Sequence, residues 1–223
     1  MNFASITTAS TMPMQRPARR THSNAGFSLL EMAIVVALVM IVGVISLVLA
    51  KNVVRSVHLH QTASNYSNLL QQARVRAVRD DNYYSVKTVA ASGGRPAYAF
   101  IDINQSGTFA SGDPIFYFNA DVKPVTNTSG LNVTNLRSQY LPAGYNATIN
   151  PSTAEGPTFG PRGLPCSPSS LTGGTCPFLA TPIAYEIFMK NTSSLNYEAV
   201  TVTPAGRIHL WSHGSSGTWS PMN

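Results

Sequence analysis

The apolar residues of this chain are concentrated in one block near the N-terminus. Met32 to Ala50 is a run of 19 consecutive residues without a charged side chain. A helix rises about 1.5 Å per residue, so this run would be about 28 Å long, close to the roughly 30 Å hydrocarbon core of a bilayer. The pattern therefore predicts a hydrophobic transmembrane helix over residues 27–50.

Beyond this block the apolar residues recur at steps of three and four, which is the spacing of one helix face. No proline occurs between Lys51 and Pro96. The helix is therefore expected to continue to about Asp80-Asp81-Asn82, with residues 51–82 as its amphipathic part. The pattern is carried by Val54, Val57, Tyr66, Leu69, Leu70, Ala73 and Ala77.

Residues 83–223 contain short β-branched or aromatic runs separated by turn residues. The predicted fold class is therefore α+β, a long N-terminal transmembrane helix followed by a globular antiparallel β-sheet head. Asp121 to Gly144 is rich in Asn, Thr, Ser and Pro, and it is expected to be an exposed excursion with room for a short strand or turn. The predicted strands are Tyr83–Ala90, Ala97–Ile103, Pro114–Asn119, Tyr145–Ile149, Ile183–Lys190, Tyr197–Thr203 and Arg207–Ser212.

The net charge of +6 is unevenly distributed along the chain. Arg16, Arg19 and Arg20 precede the apolar block, and after Ala50 there are 12 Lys and Arg residues against 8 Asp and Glu residues. Positive charge is retained on the cytoplasmic side of a membrane, so the N-terminus is expected in the cytoplasm and the head outside. The small excess after Ala50 does not by itself establish a nucleic-acid partner.

A carboxylate at the edge of the apolar block is unusual, because an unpaired charge in a membrane-spanning helix is costly. The basic leader ends at Gly26, and Phe27-Ser28-Leu29-Leu30-Glu31 opens the helix. This G-F-S-L-L-E sequence resembles the type IV prepilin motif. The resemblance implies that prepilin peptidase removes the leader, residues 1–26, and methylates Phe27. It further implies that Glu31 acts in assembly by neutralising the terminal amine of a neighbouring subunit. The alternative is a simple single-span anchor with Glu31 at the membrane interface.

Three later segments narrow the resemblance to the FimT/GspH-like minor pilins and pseudopilins: residues 69–79, 100–107 and 202–208. The family implies a subunit that joins or primes a type IV pilus-like filament. Its partners would be other pilins or pseudopilins, prepilin peptidase and the bacterial inner membrane. The protein would span that membrane once with its head in the periplasm, and it would become extracytoplasmic on assembly.

Two alternatives within this family stay open. One is a pseudopilus subunit of type II secretion. The other is a DNA-binding minor pilin for natural transformation, because FimT-like members carry a C-terminal G-R-x-R motif that contacts phosphates. The corresponding residues here are Gly206, Arg207, Ile208 and His209, so a histidine replaces the second arginine.

A calcium loop is a second candidate site. Asp102, Asn104, Ser106 and Asp113 place oxygen ligands at suitable spacings around a glycine. The flanking segments are strand-like rather than helical, and Asp, Asn, Ser and Gly are also the ordinary residues of a β-turn. A structural hairpin is therefore the favoured interpretation.

The chain has two cysteines, Cys166 and Cys176. A structural disulfide between them is favoured over a redox pair, because their spacing is not C-x-x-C. His58 and His60 lie two residues apart and point to different helix faces, so a solvated or filament-interface position is expected rather than a zinc site. No phosphate loop, nucleophile elbow or H-E-x-x-H motif occurs. We therefore expect neither an enzyme nor a bound cofactor.

Overall fold

The structure of the protein is a computed structural model that describes residues 27–125, 128–149, 156–167, 183–193, 196–214 and 217–222, with only the backbone of residues 47–49. The chain divides into two compact units, Met1–Ser46 and Leu47–Asn223. The described part of the chain contains two helices and eleven strands, so the α+β class is confirmed.

Helix α1, Leu29–Arg79, is 51 residues long and runs without interruption from the apolar block into the amphipathic segment. It ends where predicted. Asp81 has a positive φ of 48°, and the Asn82 amide donates to the Ala77 carbonyl over 3.2 Å. This six-to-one bond after a left-handed residue is a Schellman ending, which satisfies a helix carbonyl that would otherwise lack a partner.

Two sheets make up most of the second unit. The first has the strand order β3-β2-β1-β6-β7 and the second β11-β10-β9-β8-β4, with β5 also paired to β8. Every pairing is antiparallel except that of β5 with β8. The strands are β1 Tyr84–Val89, β2 Tyr98–Asp102, β3 Ile115–Tyr117, β4 Val122–Val125, β5 Asn146–Ile149, β6 Thr158–Phe159, β7 Pro165–Cys166, β8 Ile183–Asn191, β9 Tyr197–Val202, β10 Ile208–His213 and β11 Trp219–Met222.

The main core lies between α1 and one face of both sheets. From Leu59 to Ala77 the helix buries residues at steps of three and four, as the sequence pattern predicts. At its centre the buried Tyr66 hydroxyl shares a 3.1 Å hydrogen bond with Thr88. The other members include Ala63, Leu70, Ala73, Val86, Ile101, Phe159, Ile187, Val200 and Val202.

The expectation of an exposed excursion between Asp121 and Gly144 is right about a short strand and misses a packed helix. This stretch contains β4, which pairs with β8, and helix α2, Val133–Tyr140. Asn132 caps α2 by accepting from the Asn135 amide, and Leu136 is fully buried in a second core with Phe188, Trp211 and Trp219. The six-stranded sheet is therefore covered by α1 on one face and by α2 on the other.

Candidate functional site

The N-terminal segment begins with a capped helix. Phe27 is exposed, while Gly26, the predicted cleavage residue, lies outside the described residues. The Ser28 hydroxyl accepts a 3.1 Å hydrogen bond from the Glu31 amide, and the Ser28 carbonyl accepts one from Met32. Ser28 and Glu31 thus occupy the first and fourth positions of the S-x-x-E capping pattern.

The first unit exposes its apolar side chains on all sides of α1. From Leu29 to Ser46 every residue is exposed, and the charge-free block identified in the sequence lies within this helix. Among the described residues, α1 is the one helix whose length and composition would allow it to cross a membrane. Glu31 is exposed and forms no ion pair within the described residues.

Arg207 and His209, the predicted DNA-binding residues, both line one open groove of about 770 Å³ in the second unit. Both side chains are exposed. No acidic residue lines the groove, and no carboxylate pairs with Arg207 in the described part of the chain. The remaining lining residues are Gln139, Tyr140, Pro142, Tyr145, Leu164, Thr203, Pro204, Ala205, Trp211 and Pro221.

A tight turn before β10 positions Arg207. The Gly206 amide donates to the Thr203 carbonyl over 2.8 Å, and the Thr203 amide donates to the Arg207 carbonyl over 2.8 Å. The Thr203 hydroxyl also accepts from the Arg207 amide over 3.0 Å. Gly206 has a φ of 76°, a left-handed conformation that glycine adopts without strain. The Thr-Pro-Ala-Gly-Arg sequence is therefore a hairpin connection that ends with the arginine at the mouth of the groove.

A charged cluster around the fully buried Glu186 supports the wall of the groove. Arg137 donates two hydrogen bonds to Glu186, at 2.8 and 2.7 Å, and the Tyr140 hydroxyl donates a third at 2.6 Å. Glu186 lies on β8 and is fully buried. The bond to Glu186 raises the pKa of the Arg137 guanidinium, while burial and the nearby carboxylate raise the pKa of Tyr140. The cluster fixes α2, and thereby Tyr140, against the sheet.

The calcium candidates lie together in the loop between β2 and β3, but their oxygens cap the turn. The Asp102 carboxylate accepts from the amides of Ser106 and Gly107, at 3.0 and 2.8 Å. Asp113 accepts from the amides of Ile103 and Ala110, at 3.2 and 2.9 Å, and Asn104 accepts from Ser106. Lys87 Nζ lies 3.5 Å from Asp102 and supplies a cation. This geometry supports the structural hairpin.

The remaining candidates are distributed over the second unit. Cys166 lies on β7 and is disulfide-bonded, whereas Cys176 lies outside the described residues. His58 Nδ1 lies 3.0 Å from Asp121, and His60 Nδ1 lies 3.7 Å from Glu198, so the two histidines contact different elements. No group of three metal-ligating side chains occurs among the described residues.

No family model matches the chain, and neither the curated proteins nor the solved structures include a match. The structure itself has a long apolar N-terminal helix followed by antiparallel sheets, which is compatible with a pilin-like fold.

Sequence reasoning missed three parts of these sites. The Ser28 cap could have been found from the S-x-x-E spacing that begins the helix. The Arg137–Glu186 pair joins residues 49 positions apart, and nothing local indicates it. The groove also depends on α2, which the polar composition of its segment concealed.

Proposed function

We propose that this chain is a minor pilin or pseudopilin, processed by prepilin peptidase and incorporated into, or priming, a type IV pilus-like filament. The observation that carries the proposal is the change in surface along α1. Residues 29–46 expose apolar side chains all round, while residues 59–77 bury one face against the sheets. A helix that is apolar all round needs lipid or other helices around it. A filament subunit has lipid around this apolar part of the helix while it is in the membrane, and it has other helices around it in the polymer.

The capped start of α1 suits this role. Cleavage after Gly26 would create an amine at Phe27, one residue before the Ser28 cap, so the helix start would be kept. Glu31 in the first turn interacts favourably with the helix dipole. In a packed filament the Glu31 carboxylate would be desolvated, and the Phe27 amine of a neighbouring subunit is the cation that would compensate it.

The proposal is tested in a host with active prepilin peptidase. Mass spectrometry of the membrane-extracted protein should find a methylated Phe27 at the N-terminus. Glu31→Gln should be cleaved and folded normally but should not enter filaments, since the amide keeps the shape and loses the charge. Ser28→Ala is the matched control, because it weakens the helix cap without removing the charge. An intact leader, or normal incorporation of Glu31→Gln, would contradict the proposal.

The same architecture serves a type II secretion pseudopilus subunit. The filament with which the processed protein co-purifies would distinguish the two assemblies. Secretion subunits should co-purify in one case and pilus subunits in the other.

A second candidate function is DNA binding by the assembled subunit, favoured by one observation. Arg207 and His209 are both exposed on a groove without acidic lining. A phosphate contact of this kind would be weak, independent of sequence and sensitive to salt. Arg207→Ala should lower the affinity for duplex DNA. It should also make the plot of log affinity against log salt shallower, by about one unit of slope. His209→Arg should raise the affinity and make the salt dependence steeper. Arg95→Ala removes an exposed arginine outside the groove and should change neither the affinity nor the salt dependence.

A further inference from the structure

Helix α1 first contacts the sheets at Leu59. From Lys51 to His58 no side chain of the helix is buried, whereas Leu59 is only 2% exposed. A histidine precedes and follows this leucine, and each histidine lies near a carboxylate of a different part of the sheet. The start of the packed part of α1 is therefore held by two imidazole–carboxylate contacts.

The first contact joins His58 to the turn before β4. His58 Nδ1 lies 3.0 Å from Asp121 Oδ1, and the other carboxylate oxygen accepts a 2.9 Å bond from the Asn191 side chain. The His58 carbonyl accepts from Asn119 over 3.0 Å and from the Thr62 hydroxyl. This side of the helix is thus bonded to the β4–β8 edge.

The second contact joins His60 to Glu198 on β9, at a distance too long for a hydrogen bond. Glu198 Oε2 lies 3.7 Å from His60 Nδ1, is buried and has no hydrogen-bond partner among the described residues. Burial raises the pKa of the Glu198 carboxyl to about 7. A buried carboxylate without a donor is costly, whereas its protonated form is not.

Few other charges face these groups. On α1 the nearest charged side chains are Arg55, about one turn before Leu59, and Lys51, about one turn before that. The strand residues opposite Glu198 are Met189 and Ser212, which carry no charge. Lys123 and Lys190 alternate with residues that face α1, which places both lysines on the other side of the sheet.

We propose that a pH-sensitive clamp, made of the His58–Asp121 contact and the buried Glu198 beside His60, fastens α1 to the sheet at Leu59 in mildly acidic solution and loosens it when Glu198 ionises in mildly basic solution. The His58–Asp121 contact of 3.0 Å holds one side of the helix, and the pH dependence comes from Glu198, whose buried oxygen has no donor among the described residues. In mildly acidic solution Glu198 is protonated and carries no buried charge, so α1 packs over it without the cost of burying a carboxylate. In mildly basic solution Glu198 becomes a buried carboxylate without a hydrogen-bond donor among the described residues, and opening the start of the packed helix lets water reach it. The clamp is independent of the filament proposal.

Hydrogen exchange on the detergent-solubilised full-length chain tests the clamp. Protection of the α1 amides from Leu59 to Tyr66 would be measured at pH 6 and pH 8, with intrinsic exchange rates corrected. We expect protection to fall at least tenfold from pH 6 to pH 8, while the amides of β8 and β9 change less. Glu198→Gln should reduce the tenfold change to threefold or less, because the amide cannot ionise.

His58→Gln should lower protection at both pH values, because it removes the contact with Asp121, and it should keep the change between pH 6 and pH 8, which depends on Glu198. His209→Gln is the matched control, since this exposed histidine lies outside the clamp and its variant should behave as wild type. Equal wild-type protection at both pH values would overturn the proposal. A full tenfold change in Glu198→Gln would overturn it as well.

Discussion

Gly206 and Gly163 lie so close together that a β-carbon at Gly206 would sit 2.5 Å from the Gly163 carbonyl oxygen. The same oxygen accepts a 3.0 Å hydrogen bond from Arg74 Nε. The turn before β10, the loop between β6 and β7, and the last turns of α1 therefore meet at one point. The placement of Arg207 depends on this contact.

Gly206→Ala should destabilise the protein by about 2–4 kcal/mol, the sum of backbone strain at positive φ and overpacking against a carbonyl. Gly217→Ala is the matched control. Gly217 has a φ of 75°, but a β-carbon there would meet no heavy atom within 4 Å, so its variant should suffer the strain alone. Urea denaturation of both variants would measure the difference. Equal losses of unfolding free energy in the two variants would show that the contact with the Gly163 carbonyl adds nothing to the cost of Gly206→Ala.

Arg137→Ala should cost about 3–5 kcal/mol of unfolding free energy, because it leaves the buried Glu186 carboxylate without its main partner. The double variant Arg137→Met with Glu186→Leu should recover most of the loss, since apolar residues of similar size need no partner. Thermal unfolding of the three proteins would test this. If the double variant is as unstable as Arg137→Ala, the Arg137–Glu186 pair adds net stability to the fold and does more than neutralise its own buried charge.

Calcium and chelator should leave the melting temperature of the wild-type protein unchanged, because both carboxylates of the β2–β3 loop already accept backbone amides. Asp102→Asn should lower stability by about 1–3 kcal/mol through loss of charge-assisted bonds. Thermal scans with millimolar calcium and with EDTA would measure both effects. A calcium-dependent increase in wild type that is absent from Asp102→Asn would instead establish a cation site.

Glu198 should make the unfolding free energy fall as the pH rises. Burial raises its pKa from 4.5 to about 7 in the folded state. The associated stability is therefore fully present below about pH 4.5 and is lost as the pH rises through about 7. After allowance for solvent screening the loss is roughly 2 kcal/mol. Denaturation curves should give wild type and Glu198→Gln different pH slopes within this window. Parallel curves would contradict the prediction.

The elements carried by strong periodicity could be predicted from the sequence. The continuous helix to Arg79 follows from its apolar spacing and lack of proline. Strands β8 and β9 follow from β-branched and aromatic residues bounded by turn signals. The two-residue strands β6 and β7 are too short to carry a pattern. β6 is placed by its pairing with β1, far away in sequence, and β7 by its pairing with β6.

The site was harder to predict because residues far apart in the sequence form it. Arg207 and His209 were identified from a local motif, but the groove around them is completed by α2 and the β6–β7 loop. Glu198 sits in an alternating strand, where the sequence does not reveal which face is covered. Only the packing of α1 makes its position buried.

The pairing of β8 limits how the chain can fold. Its partners β4 and β5 precede it by tens of residues and do not pair with each other, while β9 follows it. In a chain that emerges from its N-terminus, β4 and β5 therefore have no partner in this sheet until β8 has emerged. The larger sheet cannot begin to form until β8 is available and is complete only with β11, so long-range pairing makes its formation a slow and late event in biogenesis.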